Sequence, residues 1–162
     1  MDSDSLFTKM YSRWRDEGKV IYDNDDAFSI LSVTPYTPGQ SLVIPRRNVK
    51  RLTLLKVDEQ VAFIRALEET LGAVKEIYEE DPERIVGFYE SLARNSDMPQ
   101  SAEMAKKMLG HRHLRIPPTS SYNAGINYGP LAGQTMPHIH AHIVPRREEG
   151  KGFLTAMGPL VE

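Results

Sequence analysis

The stretch Met136-Pro137-His138-Ile139-His140-Ala141-His142-Ile143-Val144-Pro145 alternates an imidazole with an apolar side chain from His138 onward. Side chains of a strand point to opposite faces in turn, so the pattern predicts a strand over residues 136–144. All three histidines then share one side, and Ile139, Ala141 and Ile143 face a core on the other. Successive imidazoles fall about 7 Å apart, at two residues of strand rise. Exposed strand faces favour Thr, Lys and Glu over imidazoles, so three in register point to chemistry rather than packing. Two chemistries fit. Imidazoles at alternate strand positions can converge on one divalent metal. Alternatively, one histidine is a nucleophile whose neighbours bind the charge that develops around it.

The flanking residues favour the second. Gly129-Pro130-Leu131-Ala132-Gly133-Gln134-Thr135 supplies glycines for close backbone approach and polar donors in Gln134 and Thr135, and such a loop can cradle a phosphate. Before it, residues 122–128 read as another strand. Nearer the start, residues 19–22, 27–31 and 40–44 are β-prone runs separated by Asp23-Asn24-Asp25 and by the cluster of Pro35, Pro38 and Gly39, which reads as consecutive antiparallel strands. Leu6, Met10 and Trp14, with Phe7 and Tyr11 beside them, repeat at helical spacing after the candidate caps Ser3 and Asp4, and Gly18 suits the stop. Over residues 57–80, Val57, Val61, Ile64, Leu67, Leu71, Val74 and Tyr78 draw one apolar stripe, predicting a long helix laid across the sheet. Residues 81–120 form an insertion with two short helices, one capped by Asp81-Pro82 and carrying Ile85 and Leu92, one over 101–109 ending at Gly110.

The chain has 162 residues, which suits a single domain over 1–162 with one real core. A formal charge of -2 lacks the positive balance that nucleic-acid binders use, so no nucleic-acid partner is expected. There is no cysteine, which removes disulfides, thiol nucleophiles and thiolate metal sites. Residues 1–19 are too charged for a signal peptide or a membrane span, so a cytoplasmic protein away from membranes is expected.

With its flanks, the motif AGQTMPHIHAHIVPR resembles the signature of the histidine triad (HIT) superfamily. The likeness extends upstream through the strands at 20–31, the Pro38-Gly39 turn and residues 41–45 to the long helix, about two thirds of the chain. It implies an α+β fold with an antiparallel sheet of about five strands, a long helix packed across it, and a homodimer with a continuous ten-stranded sheet. It also implies a hydrolase or nucleotidyltransferase acting on a small-molecule nucleotide without a cofactor or metal. By the same resemblance His140 is the nucleophile that attacks the α-phosphorus, His142 contacts the α-phosphate, and His138 orients His140. Asn127, Gly133, Gln134 and Thr135 surround the phosphate and leaving group, and Ser32 stands where the family grips the ribose. A metal-dependent enzyme using the triad as ligands, and a nucleotide-binding regulator without turnover, are the other readings.

The chain departs from the pattern at three places. Many relatives have a supporting histidine after the basic pair, and here Asn48 follows Arg46-Arg47. Another branch has histidine after Pro-Gly, where this chain has Gln40. The ribose position is Ser32 instead of Asp or Asn. His111 and His113 resemble a metal pair only by spacing and are read as a solvent-exposed or helix-terminal feature. The basic run Arg46, Arg47, Lys50 and Arg51, and the pair Arg146 and Arg147, are read as solvated strand ends, although they could attract a polyphosphate leaving group. Phe7 and Trp14 are read as core or interface residues.

Overall fold

A computed structural model of the protein describes residues 5–95 and 97–150. The chain forms two compact units, each assembled from separate stretches. The first takes residues up to Leu31, Ser41–Thr70 and Ala124–Ile143; the second takes Ser32–Gln40, Leu71–Asn123 and the chain from Val144.

The first unit opens with helix α1, Leu6–Asp16. Its N-cap is Ser5, whose hydroxyl oxygen accepts the Thr8 N–H at 3.2 Å, as a serine at that position does for an otherwise unpaired first-turn donor. The cap therefore falls one or two residues later than the sequence suggested, and Ser3 and Asp4 lie outside the described residues. Strands β1 (Val20–Asp23), β2 (Ala27–Leu31) and β3 (Ser41–Pro45) follow. The β1–β2 turn is built by Asn24, whose side-chain oxygen accepts N–H groups of Asp26 and Ala27 at 3.1 and 2.8 Å. With β4 (Tyr122–Ile126) and β5 (Ala141–Pro145) they make one sheet of order β1-β2-β3-β5-β4 among the described residues, and β1, β2, β3 and β5 pair antiparallel in that sequence. The expected α+β architecture with a five-stranded antiparallel sheet is what the chain forms.

Both faces of this sheet are packed. Phe7 joins Phe28, Ile30, Leu42 and Ile44, with Tyr11, Trp14, Val20 and Met136 against them. Ile139 joins Val49 and Leu55, with Leu52 and Ile126 beside them. Phe7 is thus core, as the sequence suggested.

Helix α2 spans Val57–Glu80 as expected, and the second half of the expected stripe, Leu71, Val74 and Tyr78, is buried, but the first half is not. Val57 and Ile64 are 77% and 57% exposed, and Val61 is exposed as well, whereas Phe63, Ala66, Thr70, Leu71, Val74, Ile77 and Tyr78 are buried. Two lines of helical spacing run along this segment. The true one carries Thr70, whose hydroxyl donates back to the Ala66 carbonyl at 2.5 Å and so satisfies itself in an apolar setting. A polar residue within the buried line concealed it from a hydropathy reading.

In the second unit, α3 (Pro82–Ala93) and α4 (Pro99–Leu109) pack on one another, burying Ile85, Val86, Tyr89 and Leu92 from one and Ala102, Ala105 and Met108 from the other. The insertion is helical where expected, with Asp81 and Gly110 as caps. The Pro38-Gly39 turn is held from within the same unit. Gly39 has φ +85°, and its N–H donates to the Tyr89 hydroxyl at 2.8 Å, while Arg147 donates to the Pro38 carbonyl at 2.8 Å. A Cβ on Gly39 would meet Val74 Cγ1 at 3.2 Å, so glycine answers both the backbone angle and the close approach.

Candidate active site

The ladder of β5 begins at Ala141, so only His142 of the three histidines lies on a strand, paired with Leu42. The strand expected from residue 136 is shorter because its backbone groups are used elsewhere. Pro137 has no N–H, the Ile139 N–H donates to the Val49 carbonyl at 2.8 Å, and the His138 carbonyl accepts from a side chain. The alternation survives nonetheless. Phe7 meets the rings of both His138 and His140 edge-on, with centroids 5.5 and 5.4 Å apart, and the His140 and His142 rings are 5.3 Å apart. Ile139 points into the opposite cluster. The three imidazoles therefore gather on one side, but under α1 and not on an open sheet face: His138 is 1% exposed and His140 7%.

Their hydrogen bonds determine where the protons sit. His138 Nε2 lies 2.7 Å from the Pro45 carbonyl oxygen, which can only accept, so Nε2 carries the proton. Nδ1 of the neutral ring then accepts from the Ser5 hydroxyl at 2.5 Å. His140 Nδ1 lies 3.0 Å from the His138 carbonyl oxygen and by the same reasoning donates to it. The neutral His140 ring is left with a lone pair on Nε2, the arrangement a nitrogen nucleophile needs.

Burial holds the neighbours neutral. It pushes His142 down to about 4, with the adjacent His140 adding to the effect. Burial also lowers His138, again with His140 contributing and the Pro45 carbonyl opposing. The consequence for stability has a definite sign. An unfolded imidazole takes up a proton near pH 6.5, while folded His142 refuses it until about pH 4, so the unfolded state binds more protons across that window. Stability from this group is fully present above pH 6.5 and is lost as pH falls toward 4. Between pH 7.5 and pH 5.0 we expect His142 alone to account for about 2 kcal/mol of lost stability by linkage, with His138 and His111 acting in the same direction. The urea midpoint at the two pH values measures it. An unchanged midpoint would contradict burial of neutral rings. Glu17 and Glu59 titrate below their ordinary range and leave this window to the histidines.

The loop before the triad is self-supporting. Gly129 and Gly133 have φ of +86° and +84°, and the Gln134 side-chain oxygen accepts the Gly129 N–H at 2.7 Å. The side-chain amide of Gln134 reaches the Pro137 carbonyl at 3.4 Å. Gly133 faces Asn127, whose amide nitrogen is 3.6 Å from where a Cβ on Gly133 would lie. Asn127 and Gly133 are thus together, Gln134 closes the loop, and Thr135 is exposed. Ser32 is fully buried in the second unit, and its hydroxyl oxygen accepts the Thr34 N–H at 3.2 Å. Gln40, also buried, accepts the Tyr36 N–H at 2.8 Å and serves the turn before β3.

One expectation about charge is corrected. Arg46, Arg47 and Arg147 are not solvated strand ends, the last being the donor to the Pro38 carbonyl described above. Arg46 pairs with Asp23 and lies 4.1 Å over the Tyr11 ring, and Arg47 pairs with Glu59 at 2.6 Å. Arg51 lies over the Tyr128 ring at 6.0 Å. His113 Nε2 is hydrogen-bonded to a Glu148 carboxylate oxygen at 2.8 Å, and its ring stands 5.1 Å from that of His111, just past the Gly110 cap of α4. Among the described residues no group of three or more His, Asp or Glu side chains is arranged to hold a metal. Sequence reasoning missed Ser5 and Pro45 altogether and gave Phe7 no place beside the histidines. The available signal for Ser5 was its position directly before the first apolar pair of α1.

The HIT domain model matches residues 15–149. An uncharacterized HIT-like protein of Methanocaldococcus jannaschii is 25% identical over 86% of this chain and 77% of its own length. A bifunctional bis(5'-adenosyl)-triphosphatase/adenylylsulfatase of Arabidopsis thaliana is 28% identical over 82% of this chain, which spans only 52% of that enzyme. Among solved structures, a HIT family protein from Bacillus anthracis shares the fold with a TM-score of 0.55 and 20% identity, over 92% of this chain and 77% of the other. The chain belongs to the HIT domain family.

Proposed function

We propose that the protein is a nucleotide hydrolase or nucleotidyltransferase that cleaves a nucleoside phosphoanhydride or phosphoramidate at the α-phosphate through a nucleotidyl-histidine on His140. The observation that carries this reading is the His140 tautomer set by Nδ1–H bound to the His138 carbonyl, which leaves the neutral ring's lone pair on Nε2. In the first step that pair forms a bond to the α-phosphorus, and the bond from phosphorus to the leaving group breaks, its electrons departing with the leaving group. The positive charge on the imidazole is then spread toward the His138 carbonyl through the retained Nδ1–H. In the second step water or another acceptor attacks the phosphorus. The P–N bond breaks, the electron pair returns to Nε2, and the acceptor's proton passes to solvent.

His142 is assigned to the α-phosphate, and Asn127, Gly133, Gln134 and Thr135 to the phosphate and leaving-group side. The name of the Arabidopsis relative supports a dinucleoside polyphosphate or an adenylyl conjugate as the substrate class. The metal-ligand alternative draws less support, because both ring nitrogens of His138 are already engaged by Ser5 and Pro45. No cofactor enters the scheme.

A panel of diadenosine polyphosphates, adenylyl sulfate and adenosine phosphoramidate, assayed with and without chelator, tests the reading. We expect turnover of at least one member with release of AMP or an AMP adduct, unaffected by chelation. Binding across the panel with no turnover would replace this reading with a nucleotide-binding regulator, and turnover abolished by chelation would replace it with the metal enzyme.

A further inference from the structure

We propose that Ser5, the N-cap of α1, is a positioning residue of the histidine site, acting through His138 on His140; the catalytic part of this inference rests on the function proposed above. One hydroxyl has two duties. Its oxygen accepts the Thr8 N–H and so starts the helix, and its proton goes to His138 Nδ1 at 2.5 Å. The proton has no better destination. His138 Nε2 donates to the Pro45 carbonyl, so Nδ1 is a bare acceptor, while the Thr8 hydroxyl at 3.1 Å is farther and can donate for itself.

His138 is thereby gripped at both ring nitrogens, by the start of α1 on one side and the end of β3 on the other. The grip reaches His140 because the group that receives the His140 Nδ1–H is the backbone carbonyl of His138 itself. Two residues further along, Phe7 closes against both rings. Capping of α1, burial of the histidine pair and selection of the reactive His140 tautomer are therefore coupled through one side chain. A serine placed only to cap a helix would need no imidazole partner 133 positions away.

The experiment separates capping from positioning. Ser5→Ala removes both functions. Ser5→Asp keeps a good cap but offers His138 only an acceptor, so Nδ1 must take a proton, and Ser5→Thr keeps cap and donor alike. Long-range ¹⁵N–¹H spectra of the imidazoles report each tautomer, and kcat and KM are measured on whichever panel substrate turns over. In the wild type we expect His138 protonated on Nε2 and His140 on Nδ1. In Ser5→Ala and Ser5→Asp we expect the His138 signature to change and kcat to fall about tenfold with KM little altered, even though Ser5→Asp retains the helix by circular dichroism. Ser5→Thr should restore both readings. Wild-type tautomers and wild-type kcat in both Ser5→Ala and Ser5→Asp would overturn the proposal. A wild-type protein inert to every substrate, whose His138 spectrum still responds to Ser5, would refute the catalytic reading but uphold the Ser5–His138 coupling.

Discussion

His140→Asn is expected to lower kcat/KM by at least about 10⁴-fold, the scale of loss when a covalent nucleophile is removed. Asparagine is the informative substitution because its side-chain N–H can still donate to the His138 carbonyl, which otherwise would be left buried without a partner at a cost of about 1–3 kcal/mol. A fold comparable to wild type by circular dichroism and denaturant midpoint is therefore expected beside the collapse in turnover. His140→Ala should lose the same activity but also some stability, since it opens space beneath Phe7. Retention of activity to within tenfold in His140→Asn would mean that another group attacks the phosphorus.

Ile139→Ala comes next in size. Ile139 is fully buried between the two histidines, its side chain in the cluster of Val49 and Leu55 and its N–H on the Val49 carbonyl. Truncation there should cost about 2–5 kcal/mol, the usual range for a buried isoleucine, read as a lowered urea midpoint at constant m value. Activity measured well below the new transition should fall too. The segment bearing His138 and His140 lacks strand pairing, so Ile139 is one of the few anchors that fix its depth. A loss under about 1 kcal/mol would show that the backbone bonds alone hold this segment. Normal turnover in a destabilised variant would show that the histidines do not depend on this anchor.

Much of the fold was legible because its signals are local. β-prone runs and turn residues marked β1, β2 and β3 nearly to the residue, and Pro82 and Gly110 bounded the helical part of the insertion. The failures have a shared cause: they turn on contacts distant in sequence. Which line of α2 is buried depends on what it meets, and Val57-Val61-Ile64 and Phe63-Ala66-Thr70 are equally helical in spacing. The end of the β5 ladder depends on Val49 taking the Ile139 N–H. Arg46 and Arg47 read as surface charge until Asp23 and Glu59 are found opposite them. At the site, the three histidines and their common side could be inferred from alternation. The burial that holds His138 and His142 neutral and the serine on α1 could not, because each requires residues distant in sequence to meet, and the His138 carbonyl that sets the His140 tautomer, though local, is not marked by a strand pattern.

The central claim is that His140 Nε2 bonds to phosphorus, and the direct measurement is capture of that bond. A substrate from the panel labelled at its α-phosphate is mixed with enzyme, quenched in denaturant at alkaline pH, and the protein is digested for peptide mass analysis. We predict one nucleotidyl group per active chain, stable in base and labile in acid as a phosphoramidate is, located on His140 and absent from His140→Asn. Turnover without any captured label under conditions that trap the intermediate in another HIT enzyme, or label on a residue other than His140, would contradict the account.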